Sequence, residues 1–388
     1  MKRIILKHEK KAFLCLILVF VFLFSFVLPK VFSTHYVSLK NISLFVPSYI
    51  STPEPVKGIY MTSWTASSKK LRDVLVKLVD DTELNTIVID IKDYSGKIIF
   101  PINNPTLKSF GSEEIRVKDL QSFLEMLHRK GIYVIGRIAV FQDAYFVKYR
   151  PDLAVKTKTG ETVWKDRKGI SWIDPSSREY WNYIILLAKE ARRVGFDEIN
   201  FDYIRFPSDG DMKNIFYPFS STTPKHLVMK SFFKYLQNEL RNPDVSIGEP
   251  TNTSVLKISA DLFGMVTTAQ DDMGIGQILE DAFPYFDYIM PMVYPSHYPP
   301  AFEGFKDPEA HPYETVYSAL GDAIKRANLA STTPNKLRPW LQDFGLKMTY
   351  GSAEVRAQIK ATNDVGLSSW ILWSPSNRYT ATALIKEQ

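Results

Sequence analysis

The sequence predicts an α/β fold and, within that class, a closed (β/α)8 barrel. Three observations carry the prediction. From Lys57 to the C-terminus, short runs rich in Ile, Val, Phe and Tyr alternate with amphipathic helical segments, and β–α alternation implies a parallel sheet. Eight such runs fit into about 330 residues, the size of one eight-stranded barrel with insertions. No Gly-rich phosphate turn follows the first run, which argues against an open doubly wound sheet.

The strands are expected at Gly58–Trp64, Thr86–Lys92, Tyr133–Phe141, Glu198–Phe206, Lys257–Phe263, Tyr288–Tyr294, Arg338–Phe344 and Ser369–Trp373. Helical spacing of apolar residues falls at 68–82, 117–130, 176–195, 224–241, 275–285, 313–330 and 352–365. Leu120, Phe123, Leu124 and Leu127, three and four residues apart, are one example. Gly131, Gly195 and Gly366 each follow a helix and precede a strand, where a left-handed cap is wanted. The functional face is expected at the C-terminal ends of the strands.

Ahead of the barrel the chain reads differently. Residues 1–33 form a basic start and an apolar segment, 34–56 a Pro- and Ser-containing extracytoplasmic linker, and 57–388 the barrel domain. Lys2, Arg3, Lys7, Lys10 and Lys11 stand against Glu9, so residues 1–11 hold +4 of the chain's net +6. The uncharged run Ala12 to Leu28 follows, 17 residues long, at the lower limit for spanning a bilayer. Positive charge before an apolar run keeps the N-terminus inside and sends the rest across. The segment reads as a membrane anchor through residues 12–28 or as a cleaved signal with a small-residue site at Val31-Phe32-Ser33. Either way, the barrel is extracytoplasmic. It is close to neutral and lacks a basic stripe with interleaved aromatics, so nucleic acid is not an expected partner. The lone Cys15 lies in the apolar run, leaving no disulfide framework.

A barrel interior is normally filled with branched apolar side chains, so charged residues pointing inward need a partner or a purpose. Period two places several of them there. With Ile199, Phe201 and Tyr203 outward, Asn200 and Asp202 face in; with Ile258, Ala260 and Leu262 outward, Ser259 and Asp261 face in. Three isoleucines turn Asp90 and Lys92 inward, and Arg137, Tyr294 and Gln342 are placed similarly. Clustered acids and bases near strand C-termini resemble a site. The competing reading is a buried ion-pair network, such as Asp90–Lys92 or Arg137–Asp202, that only fills the barrel.

Paired carboxylates suit glycoside hydrolysis, which needs a proton donor and a second carboxylate acting as nucleophile or base. Asp202 is the candidate for the ionised partner, held charged by Arg137 or Arg205. Asp261, among apolar neighbours, is the candidate acid, because burial favours its protonated form. Lys92 and Arg137 are expected to support rather than react. Trp64 at the end of strand one and Trp373 on strand eight are candidate platforms for sugar rings, while Trp181 and Trp340 read as core. The six histidines show no H-x-x-x-H spacing, so no zinc site is expected, and no other cofactor is called for; the absence of a G-x-S-x-G elbow argues against a serine hydrolase.

The segments KGIYMTSWTAS, NTIVIDIKDYSGKIIF, GIYVIGRIAVFQD, FDEINFDYIRFPSDG and DYIMPMVYPSHY, in that order, resemble a bacterial family of domains of unknown function described as putative glycosyl hydrolases. The resemblance spans about residues 57–375. It implies a TIM-barrel fold and a polysaccharide-directed activity in exported or anchored proteins. A more distant similarity is to α-amylase-like barrels, which place an aspartate nucleophile at the end of strand four and a carboxylic acid at the end of strand five. Asp202 and Asp261 match those positions. The fifth-strand residue is more often Glu in that group, and the Arg two places before the nucleophile is here Asn200. The D-x-x-D-x-D-x-E pattern of chitinase-like barrels aligns with Asp197, Asn200, Asp202 and Ile204, so its Glu is missing. The expectation is an extracytoplasmic glycoside hydrolase acting on a cell-wall, capsular or environmental polysaccharide or oligosaccharide. The alternative is a catalytically inactive carbohydrate-binding or envelope scaffold barrel. The oligomeric state is not legible.

Overall fold

A computed structural model describes residues 46–241 and 255–385. Eight parallel strands close in sequence order: β1 (Lys57–Met61), β2 (Thr86–Lys92), β3 (Tyr133–Ala139), β4 (Glu198–Asp202), β5 (Lys257–Phe263), β6 (Tyr288–Met292), β7 (Trp340–Gln342) and β8 (Trp370–Trp373), with β8 pairing back onto β1. The sequence reading of the strands holds for all eight, and most differences fall at their C-terminal ends. There the runs of apolar residues continue beyond the regular ladder into buried loops. Trp64 is one casualty: it lies in α1 (Ser63–Ser67), not on the strand. The N-terminal segment with its expected membrane span at 12–28 lies outside the described residues. Among the described residues no helix is long and apolar enough to cross a membrane.

The outer ring is built by α2 (Lys69–Asp81), α3 (Pro105–Ser109), α4 (Leu120–Arg129), α5 (Ala144–Tyr149), α6 (Arg178–Val194), α7 (Lys225–Arg241), α8 (Leu279–Ala282), α9 (Pro312–Leu329) and α10 (Ser352–Asp364). Helix α6 shows how the sequence sets the bounds. The Ser177 hydroxyl accepts the Tyr180 N–H at its start, and Gly195, at φ 118°, ends it in the left-handed cap. The α8 segment is shorter than its apolar period suggests. The thinnest ladder is β6–β7, with one pairing, Met292 to Trp340. Val293 donates its N–H to Trp340, so Pro291, two residues back, removes the next bond on the same side.

The core has two parts. One large cluster fills the space between barrel and helices. A smaller one fills the barrel itself, with Val56, Tyr60, Val88, Tyr133, Ile135, Met290, Tyr294, Trp340 and Ile371. Residues just ahead of β1, read as linker from composition, pack on the N-terminal end. Tyr49 donates its hydroxyl to Arg192 O at 2.8 Å, the Ile50 N–H reaches Asp197 at 2.9 Å, and Val56 is buried inside the barrel.

Candidate active site

The inner cluster at the C-terminal mouth is organised by one side chain. Arg137, on β3, is buried and directs its guanidinium across the barrel. Its Nη1 lies 2.5 Å from Asp90 Oδ1 on β2, its Nη2 is ion-paired with Asp202 Oδ2 on β4, and its Nε lies 3.8 Å from Asp261 Oδ2 on β5. Phe201 pairs with Ala260, so Asp202 and Asp261 stand at the next step of the same register, side by side on neighbouring strands. The period-two reading therefore brought Asp90, Arg137, Asn200, Asp202 and Asp261 together as expected.

Three carboxylates share one guanidinium, so they cannot all ionise without strong mutual repulsion. Burial pushes the Asp261 carboxyl well above the usual carboxylate range, and the nearby Asp202 charge adds to the effect. Burial also raises Asp90, against the pull of Arg137. Asp261 Oδ1 accepts from Asn200 Nδ2 at 2.8 Å and from Trp340 Nε1 at 2.7 Å. Trp340 is thus a hydrogen-bond donor to the site as well as core. Asp202 is held from both oxygens: Oδ2 accepts from Arg137, and Oδ1 accepts the Tyr203 N–H at 2.5 Å. That second bond depends on Tyr203 adopting φ 52°, a left-handed conformation uncommon for a bulky residue and frequent at functional sites.

Tyr60 is a site residue that the sequence reading missed. Its hydroxyl donates to Asp90 Oδ2, and its ring stacks on Trp373 with centroids 4.0 Å apart and planes at 19°. The signal was available: Tyr60 alternates with Ile59 and Met61 on β1. Trp373 closes the mouth beside Arg137, 5.2 Å from the guanidinium carbon, which supports its place in the site. Tyr294 lies in the inner cluster at the mouth, and burial raises its hydroxyl well above the ordinary tyrosine value.

Three expected members stand elsewhere or act differently. Lys92 does not join the inner cluster or pair with Asp90. The register shifts between Asp90 and Lys92, and the ammonium instead meets Asp143 Oδ2 at 2.9 Å, both side chains fully buried. Asp143 also caps α5 and accepts the Tyr180 hydroxyl at 2.8 Å. The β-carbon of any residue replacing Gly96 would sit 1.9 Å from Asp143 Oδ1, so this strut requires glycine there. Trp64 is 62% exposed, outside the barrel, stacked 4.3 Å from the Arg116 guanidinium. Arg205 does not hold Asp202, since no carboxylate lies within ion-pair distance of it among the described residues. Its Nη1 donates to Phe206 O at 3.0 Å and Ser208 Oγ at 3.2 Å.

A cavity of about 260 Å³ opens at the opposite, N-terminal end, lined by Pro53, Val56, Tyr288, Leu337, Arg338 and Ser369 among others. It holds no pair of carboxylates. Among the described residues, no three His, Cys, Asp or Glu side chains are grouped to hold a metal ion.

Residues 58–379 match the family model described as a putative glycosyl hydrolase domain. The chain belongs to that family. Membership makes it a glycoside hydrolase-type barrel, and the five sequence segments that suggested the family lie within the matched span but for Lys57, one residue ahead of it. Solved structures share the fold. The glycoside hydrolase domain of PgaB (BpsB) from Bordetella bronchiseptica aligns with a TM-score of 0.57 at 11% identity, over 86% of this chain and 100% of that one. Alpha-L-fucosidase isoenzyme 2 from Paenibacillus thiaminolyticus aligns with a TM-score of 0.51 at 12% identity, over 88% and 46%. A hypothetical protein from Ruminiclostridium thermocellum is 32% identical over 56% of this chain and 99% of its own, with a TM-score of 0.45. No match is found among curated protein sequences.

Proposed function

We propose that the protein is an extracytoplasmic glycoside hydrolase that cleaves a cell-wall, capsular or environmental polysaccharide with Asp202 and Asp261. The observation that carries this reading is the unequal surroundings of two neighbouring carboxylates. Asp202 has the partners of an anion, whereas burial and the Asp202 charge keep a proton on Asp261. Glycosidic cleavage uses such a pair: Asp261 donates its proton to the leaving oxygen while Asp202 attacks the anomeric carbon or activates water. Arg137 keeps Asp202 charged, Asp90 and Tyr60 fix Arg137, and Tyr60 and Trp373 offer aromatic surface to a sugar ring. Export rests on the basic cluster and apolar run of residues 1–33, which supports a barrel outside the membrane.

A second reading, a barrel that binds glycan without cleaving it, draws on one specific observation. Asp202 is only 7% exposed and Asp261 1%, with Asp202 locked onto Arg137. Reducing-end release by the full chain on a panel of wall and capsular glycans, beside an Asp202→Asn control, separates the two. Release that disappears in the control supports hydrolysis. Glycan retention with release equal to the control supports the binding barrel.

A further inference from the structure

Arg205 follows β4 by three residues, at the face where Asp202 and Asp261 end their strands. It is 8% exposed, so its guanidinium has lost most of its water. Buried arginines normally meet a carboxylate, because an uncompensated charge in the interior is costly. Every other arginine of the barrel interior follows this rule: Arg137 faces Asp90 and Asp202, and Arg338 faces Glu198. Arg205 does not. Among the described residues its only hydrogen bonds run from Nη1, to Phe206 O and Ser208 Oγ, leaving Nε and Nη2 without a protein acceptor. Neither atom is among the sealed, unpartnered ones, so that edge of the guanidinium reaches solvent.

Three aromatic rings fix its direction. The guanidinium carbon lies 4.9 Å from the Trp172 ring, 5.2 Å from Tyr203 and 4.5 Å from Phe263. These come from the loop after β3, the turn after β4 and the end of β5, so the cage straddles the strands that carry the two carboxylates. The nearest acidic groups cannot serve as its counter-ion. Asp202 is committed to Arg137 and the Tyr203 N–H. Asp166 accepts from Trp172, Gln142 and two backbone N–H groups. Asp209 is exposed. Burial accordingly pulls Arg205 below its ordinary value despite the distant attraction of these acids.

We infer that Arg205 is a specificity residue that receives an oxyanion substituent of the glycan, a carboxylate or a phosphate, beside Asp202. The inference rests on the proposed glycan-directed function and narrows it to acidic polymers. The free Nε–Nη2 edge offers two parallel donors, the geometry that engages a carboxylate or phosphate with two hydrogen bonds. An incoming anion would supply the counter-charge that no carboxylate among the described residues gives Arg205.

The test measures binding by the full chain in detergent to matched polymers. Polygalacturonate is compared with its carboxyl-reduced form, and a glycerol-phosphate-substituted glycan with its dephosphorylated form. The wild type should bind at least one anionic member about 10- to 100-fold more tightly than its neutral partner, the span of a charge-assisted pair. Arg205→Met, which keeps the aromatic cage filled, should abolish that preference. Arg205→Lys, which keeps the charge and loses the fork, should retain part of it and serves if the Met variant fails to fold. A preference in the carboxylate pair or in the phosphate pair identifies the substituent. Equal binding across both wild-type pairs overturns the inference, as does a preference that survives Arg205→Met. Anion-selective binding without cleavage leaves the inference standing while removing the hydrolase reading. Cleavage of neutral glycans with no charge preference does the reverse.

Discussion

At the C-terminal mouth of the barrel Arg137 faces three carboxylates, whereas at the N-terminal end Arg338 faces one. Arg338 Nη1 lies 3.0 Å and 3.1 Å from the two oxygens of Glu198, both residues are sealed, and Tyr133 donates its hydroxyl to the same carboxylate at 3.1 Å. Its guanidinium carbon rests 3.7 Å over the Tyr288 ring. One charge answers one charge there. The mouth is overloaded with acid instead, and the surplus forces a proton onto the site. Buried ion pairs at the two ends of one barrel therefore differ in stoichiometry, and stoichiometry separates a plug from candidate chemistry.

The comparison breaks most sharply when one residue is removed from each end. Asp202→Asn should lower turnover by at least about 10³-fold, the scale of losing a reacting carboxylate, with the far-UV circular dichroism of the wild type. Arg338→Met should do the opposite. It strands Glu198 as an unpaired buried charge and should cost about 3–5 kcal/mol of stability, read from the urea midpoint. A stable Arg338→Met protein would mean that the lower pair is not a plug at all.

A smaller effect should appear as pH dependence at the mouth. The Asp261 carboxyl is raised in the native state, so above the ordinary carboxylate value of about 3.9 the folded protein holds a proton that the unfolded chain has released. More protons bound in the native state make stability fall as pH rises from that value through the raised native one. Asp90, also raised, acts in the same direction. Asp261→Asn keeps an oxygen acceptor for Asn200 and Trp340 and carries no titrating proton. Its stability relative to the wild type should therefore increase from pH 4 to pH 8 in a urea series. A constant difference across that range would show that Asp261 is not proton-loaded in the folded protein.

The same contrast explains what the sequence made legible. Strand alternation is local, so Asp90, Arg137, Asn200, Asp202 and Asp261 could be turned inward from their outward-facing Ile, Val and Phe neighbours. Glu198 and Arg338 obey that alternation too. Glu198 is the first residue of β4 and Arg338 lies two residues ahead of β7, where a run of apolar residues has not yet announced which face is which. Lys92 failed for a different reason. One irregular step after Asp90 shifts the register, and a single step sends a side chain to the other face. That Lys92 meets Asp143, 51 positions along the chain, is a tertiary fact with no local signal. Trp64 failed because the strand ends at Met61 and the chain turns at once into α1, its Thr62 hydroxyl accepting the Thr65 N–H. A cap of that kind reads in sequence as T-S-W-T, inside what looks like a continuing strand.

Trp64 gives the mildest test, because it sets an exposed aromatic–arginine stack against the buried one at the mouth. Arg116 is held under the indole by Asp93 at 2.8 Å and Glu114 at 2.7 Å, so the ring is backed by a fixed cation although 62% exposed. An exposed cation–π contact contributes about 0.5–1 kcal/mol, so Trp64→Ala should shift the urea midpoint only slightly. If the indole is a distal platform for a long glycan, the same variant should raise KM about 3- to 10-fold with kcat retained, the range of one aromatic contact. Trp373→Ala should instead lower kcat, because that ring packs on Tyr60 and beside Arg137, which holds the carboxylates proposed to react. Equal effects of the two variants on KM and kcat would mean that the mouth has no inner and outer aromatic positions.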